Sequence, residues 1–151
     1  MLKVLKWVQG DFWPGNILVV LDQDRELKNI FVIDWEMSRF GIPGMEVGRL
    51  AAELHLCGRL NPVVAEEKSK LVLGAFLKAY ASKFAVTEEL VRRALTHFGT
   101  HLAVIGPTLE WREKEMGREV ALDGVNIVVD GYEANIEDLH KSPVGALLGH
   151  N

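Results

Sequence analysis

The chain has a single cysteine, Cys57, and no apolar run long enough to span a bilayer. One cysteine cannot close an internal disulfide, so a small secreted scaffold is excluded and a reducing compartment is expected. Cys57 itself reads as a small buried hydrophobe. Positive charge is also scarce: 17 Lys and Arg stand against 21 Asp and Glu, for a net charge of -4. Nucleic acid and anionic membrane both reward a basic surface, so neither is expected as a partner. The opening MLKVLKWV is too short for the apolar stretch of a signal peptide and has no small-residue cleavage site behind it, which points to the cytoplasm. Repeats, low-complexity tracts and linkers are absent as well.

What is present suits one globular domain over residues 1–151, because 48% of the residues are hydrophobic. ILVVL at 17–21 and IFVID at 30–34 flank the polar DQDRELKN, which predicts a β-hairpin. DQDRE lacks the glycine and the distant glutamate of a calcium loop and reads as the hairpin turn. FGIPG at 40–44 predicts a loop, and the chain turns helical beyond it. A first helix is expected over Met45 to Cys57, on Val47, Leu50, Ala51 and Leu54, with Gly58 as its stop. A second opens on Asn61 and Pro62 and runs to about Phe84, burying Val64, Leu71, Ala75, Phe76 and Ala79 while EEKSK faces water. Thr87 caps a third, whose apolar face is Leu90, Val91, Ala94, Leu95, Phe98 and Leu102. After the IGP break at 105–107, Met116, Val120 and Ile127 favour one more helix despite Gly117, Gly124 and Gly131. The hairpin and the helices are expected to share one core, which makes the fold class α+β, mainly α.

The chemistry concentrates in QGDFWPGN at 9–16 and VIDWE at 32–36. Phosphoryl transfer needs a carboxylate to orient the attacking hydroxyl and oxygen ligands to hold magnesium against phosphates. Asp11 lies in a loop, Asn16 closes that loop where the first strand begins, and Asp34 ends the second strand. Folding the hairpin brings positions 16 and 34 side by side, so Asn16 and Asp34 can share a cation. The five-residue step from Asp11 to Asn16 is also that of the protein-kinase catalytic loop.

GDFWPGNILV followed by VIDWE resembles the aminoglycoside phosphotransferase and choline kinase-like family. Its usual motif is His-Gly-Asp, four residues, Asn, and then a strand ending in Ile-Asp, Trp or Phe, and an acid. GMEVGRLAAEL and THFGTHLAVIGP resemble later helices of that family. The resemblance implies the C-terminal lobe of a protein-kinase-like phosphotransferase, with a catalytic loop and hairpin at 9–36 and a helical part at 45–151. It implies ATP and Mg2+ as cofactors and a small-molecule hydroxyl as acceptor. Asp11 would be the catalytic residue, Asn16 and Asp34 the magnesium ligands and Glu36 an accessory acid. Trp13, Pro14 and Gly15 would shape the loop.

Two departures stand out. Gln9 replaces the family's histidine, and only eight residues precede it, so the nucleotide-binding N-terminal lobe is expected to be absent. Neither Lys3 nor Lys6 replaces its phosphate-pairing lysine. These departures keep open a non-catalytic remnant or binding module, and a truncated gene model of a full-length kinase. Elsewhere, His97 and His101 are four apart but read as core and edge histidines rather than zinc ligands. EWREKE at 110–115 reads as a solvated helix face, with Glu110 or Asp123 as candidates for contacting a cationic acceptor. Trp7, Trp13, Trp35 and Trp111 read as packing residues.

Overall fold

The computed structural model describes residues 5–149, leaving aside the side chains of residues 62–64; Lys3 and the Val64 side chain lie outside the described residues. Two short antiparallel ribbons precede a helical body. β1 (Lys6–Val8) pairs with β4 (Arg39–Gly41), and between them in sequence β2 (Ile17–Leu21) pairs with β3 (Leu27–Val32). The second ribbon is the expected hairpin, although β3 begins at Leu27 and ends at Val32, before Asp34. Its turn is held by Asp22, whose Oδ1 accepts the N–H groups of Asp24 and Glu26 at 2.9 Å each.

The β1–β4 ribbon has no counterpart in the sequence reading, because three-residue strands carry too little periodicity to be seen. FGIPG is correspondingly not one loop. Phe40 and Gly41 belong to β4, while Pro43 and Gly44 open the next helix. The close fit is visible at Gly41, where a Cβ would lie 2.5 Å from Val8 Cγ2.

The helices are α1 (Pro43–Leu60), α2 (Pro62–Lys83), α3 (Glu88–Ile105), α4 (Lys114–Glu133) and the short α5 (Ile136–Lys141). α3 is the central one, flanked by α1 and α4. Its apolar face is the expected one: Leu90, Val91, Ala94, Leu95, Phe98 and Leu102 are all buried. Burying a Leu, Val or Phe side chain contributes about 1.5–3 kcal/mol, so this face dominates the cohesion of the body. Thr87 caps it as expected, Oγ1 accepting the Leu90 N–H at 3.2 Å.

Three expectations are corrected in this region. Gly58 does not stop α1; it lies inside the helix, where a Cβ would stand 3.2 Å from the Glu66 backbone of α2. On α2 the inward side is Leu73, Phe76, Leu77 and Tyr80, whereas Leu71, Ala75 and Ala79 face out. α2 is apolar around most of its girth, so periodicity cannot choose a face and the neighbouring helices decide it. Cys57 is exposed rather than buried.

α4 is continuous through its three glycines, which with Val120 form its buried side. A Cβ on Gly124 would sit 2.5 Å from Ala103 N and from Gly99 O, so α3 and α4 meet backbone to backbone there. EWREKE is corrected too: α4 begins only at Lys114, and Glu110 to Glu113 lie in the segment before it. Trp111 anchors that segment, its indole N–H donating to Gly106 O at 2.7 Å.

The core is built from the helices and from Val144 and Leu147 near the end of the chain. The β2–β3 hairpin adds nothing to it: Leu18, Val19, Val20, Leu21, Leu27, Ile30 and Phe31 are all exposed. Hairpin and helices therefore do not share one core. Trp7 and Trp35 are exposed as well, at 67% and 56%, and so are not core residues, although the Trp7 ring lies against Phe40 with centroids 4.8 Å apart. Among the described residues no helix is long and apolar enough to cross a membrane.

Candidate functional site

Residues 9–16 connect β1 to β2 and run over the N-terminal end of α1. Gly10 takes φ 89, and a Cβ there would collide with the Met37 carbonyl, so this position requires glycine. Its N–H donates to Glu46 Oε2 at 3.1 Å. A single 3-10 turn at Pro14–Asn16 then delivers Asn16 to the start of β2. Trp13 lies over that turn, since a Cβ on Gly15 would stand 2.5 Å from its ring.

Gln9 holds this loop to the segment after β3. It is 5% exposed, and its amide uses both of its chemical functions. Nε2 donates to Ile33 O at 3.0 Å and to Asp34 O at 2.6 Å, while Oε1 accepts the Asp11 N–H at 2.7 Å. One side chain thus ties the loop bearing Asp11 to the backbone bearing Asp34. A second tie is Ile33 N–H to Asn16 O at 3.0 Å.

Asp11 and Asn16 touch directly. Asn16 is 6% exposed, and its Nδ2 donates to Asp11 Oδ2 and to Asp11 O, both at 3.0 Å. Pointing the amide nitrogen at Asp11 leaves Asn16 Oδ1 as a ligand oxygen. Asp34 sits two residues beyond β3 at φ 62 and ψ 57, a left-handed conformation that a short polar side chain tolerates at some cost. Its carboxylate is exposed and has no hydrogen bond or ion pair among the described residues; Glu36, in the following 3-10 turn, is likewise exposed. The structure therefore joins Asp11 to Asn16 by side chains and brings Asp34 beside them by backbone.

Sequence reasoning missed what α1 supplies. Arg49 Nη2 lies 2.5 Å from Asp11 Oδ1, one turn on from Glu46. A further turn on, Glu53 Oε1 lies 2.8 Å from His101 Nε2 of α3, with His101 only 8% exposed. Glu46, Arg49 and Glu53 follow at intervals of three and four on a helix whose other positions are largely apolar, and that spacing was the available signal. His101 is thus engaged by a carboxylate, and His97 lies beside it with ring centroids 6.3 Å apart. Burial holds the His97 imidazole below its usual value, and the charges of His101 and Arg49 add to that.

Among the described residues no three His, Cys, Asp or Glu side chains are grouped to hold a metal ion. The oxygen set around the loop is a mixed one, of two carboxylates and one amide. Asp123 is paired with Arg59 at 3.6 Å, and Glu110 is exposed. Beside the loop, a groove of 750 Å³ is lined by Gln9, Phe12, Trp35, Glu46, Phe76 and Tyr80 among others.

No protein-family model matches the chain. It is similar to a 4-hydroxytryptamine kinase of Psilocybe cyanescens, 28% identical over 93% of this chain and 37% of that protein. It is also similar to a 4-hydroxytryptamine kinase of Psilocybe cubensis, 25% identical over 84% of this chain and 33% of that protein. The chain therefore spans about a third of the length of these curated relatives, and the likeness supports a phosphotransferase-like parentage.

Proposed function

We propose that this chain carries the phosphoryl-transfer centre of an ATP- and Mg2+-dependent kinase of the aminoglycoside phosphotransferase and choline kinase-like type, acting on a small-molecule hydroxyl. The observation that carries the reading is the Gln9–Asp11–Asn16 cluster, tied through Gln9 to the backbone of Asp34. Asp11 orients the acceptor hydroxyl and takes its proton. Asn16 Oδ1 and the Asp34 carboxylate are hard oxygen ligands of the kind magnesium takes, and they are the residues that would hold it. Bound magnesium would neutralise charge on the transferring phosphoryl group. Gln9 replaces a histidine without loss of loop anchoring, since its amide both donates and accepts. The names of the relatives make an aromatic hydroxyl on an amine-bearing molecule the first acceptor class to test.

A second reading, a non-catalytic binding module, is favoured by the uncovered apolar surface of the β2–β3 hairpin. On the first reading that surface is where a nucleotide-binding lobe would rest, and the chain is the C-terminal lobe of a larger enzyme.

Calorimetric titration of the chain with ATP, with and without magnesium, separates the two. The kinase reading expects magnesium-dependent nucleotide binding that Asp34→Ala abolishes. It also expects ATP turnover with a hydroxyindole amine, which Asp11→Ala abolishes while binding stays within about threefold. Absence of magnesium-dependent binding would overturn phosphoryl transfer by this chain on its own.

A further inference from the structure

We propose that Arg49 is a positioning residue for Asp11: the guanidinium fixes one carboxylate oxygen so that the other stays on Asn16 and the acid faces the acceptor in a single orientation. This rests on the reading of Asp11 as the acceptor-orienting acid.

Asp11 has its two oxygens on different partners, Oδ1 on Arg49 Nη2 at 2.5 Å and Oδ2 on Asn16 Nδ2 at 3.0 Å. An aspartate on a loop has a rotatable carboxylate, and contacts from two elements to its two oxygens remove that freedom. Without the cation, Oδ1 and Oδ2 can exchange, and Asn16 keeps only the Asp11 backbone carbonyl as a fixed acceptor. The two contacts come from separate elements, α1 and the 3-10 turn before β2, so the carboxylate is located relative to the helical body and not only to its own loop.

The pair is poorly explained as a stabilising salt bridge. Both side chains are close to a third exposed, at 30% and 28%, where solvent screens the attraction. Arg49 Nε is also buried without a hydrogen-bond partner among the described residues, a cost that stability alone would not retain. Meanwhile α1 is anchored on both sides of Arg49. Glu46 accepts the Gly10 N–H one turn before it, and Glu53 meets His101 one turn after it. Those contacts fix the backbone from which Arg49 reaches, as a positioning group requires.

The experiment uses the 15N-labelled 151-residue chain and reads hydrogen exchange at the Asn16 side-chain amide. Arg49→Met, which keeps the apolar stem, and Arg49→Gln are each expected to speed that exchange about tenfold. The Trp111 indole N–H, bonded to Gly106 O, should keep its exchange rate and so report an intact helical body. Arg49→Lys should recover most of the protection. In turnover, Arg49→Met is expected to lower kcat about 100-fold with KM within about threefold. Unchanged Asn16 exchange in a folded Arg49→Met chain would overturn the proposal, and so would unchanged kcat. Failure of the kinase reading shows separately, as turnover that survives Asp11→Ala, and leaves the exchange measurement to decide the role of Arg49.

Discussion

Gln9 is the residue on which the geometry of the site turns. Its carboxamide donates to two carbonyls and accepts one N–H, all from within a nearly dry environment, so each lost partner leaves a buried polar group unsatisfied. Gln9→Ala is therefore expected to destabilise the chain by about 1–3 kcal/mol, read as a lowered urea midpoint at unchanged slope. Gln9→His keeps one ring donor and one ring acceptor and should cost less. A Gln9→Ala midpoint equal to the parent's would show that the loop is held by other contacts. The closeness of Asn16 to Asp34 was suggested by sequence because a hairpin joins them, whereas the roles proposed for Asp11, Asn16 and Asp34 are what the resemblance to the phosphotransferase family implies. Arg49 was not, since a single arginine on an amphipathic helix looks like any solvated charge until the loop is seen lying against it.

Glycine decides how the helices meet. Gly99 and Gly124 let the α3 and α4 backbones touch, and an added methyl at Gly124 would stand 2.5 Å from backbone atoms that cannot swing aside. Gly124→Ala should therefore cost about 1–3 kcal/mol from overpacking, even though alanine is the better helix former. Gly74, half-buried on α2, has nothing among the described residues within 4 Å of an added Cβ. Gly74→Ala is expected to stabilise by about 0.5–1 kcal/mol through helix propensity alone. Thermal unfolding of the two variants should move Tm in opposite directions, and a Tm gain for Gly124→Ala would refute the backbone contact. The same glycines explain why α4 was hard to read from sequence: residues that interrupt an isolated helix become its contact face when a partner helix lies on them.

At the scale of the whole molecule, two half-buried imidazoles set a pH dependence. Burial lowers the His97 value from 6.5, with His101 and Arg49 adding to the shift. Burial likewise lowers that of His55; Arg59 and Lys70 push the same way, while Asp123 and Glu66 oppose them. Below 6.5 the unfolded chain takes up protons that the folded chain resists, so the stability these neutral rings supply is complete above that pH and is lost as pH falls through the folded values. The urea midpoint should fall between about pH 7.5 and about pH 5.5, and replacing His97 by Asn should flatten that fall. An unchanged slope in His97→Asn would remove His97 from the account.

By itself the sequence determined the mainly helical class, the capped and strongly amphipathic α3, the hairpin, and the closeness of position 16 to the segment after β3. Each of these is written in local spacing, where a period, a cap or a turn residue acts over a few positions. Tertiary structure alone decided the inward face of α2, the β1–β4 ribbon, and the exclusion of the hairpin from the helical core. It also decided the reach of Arg49 and Glu46 from α1 to the loop. The β1–β4 ribbon and the contacts of Arg49 and Glu46 join segments some thirty or more residues apart, and the choice among equally apolar or equally charged positions is made by the surface that opposes them.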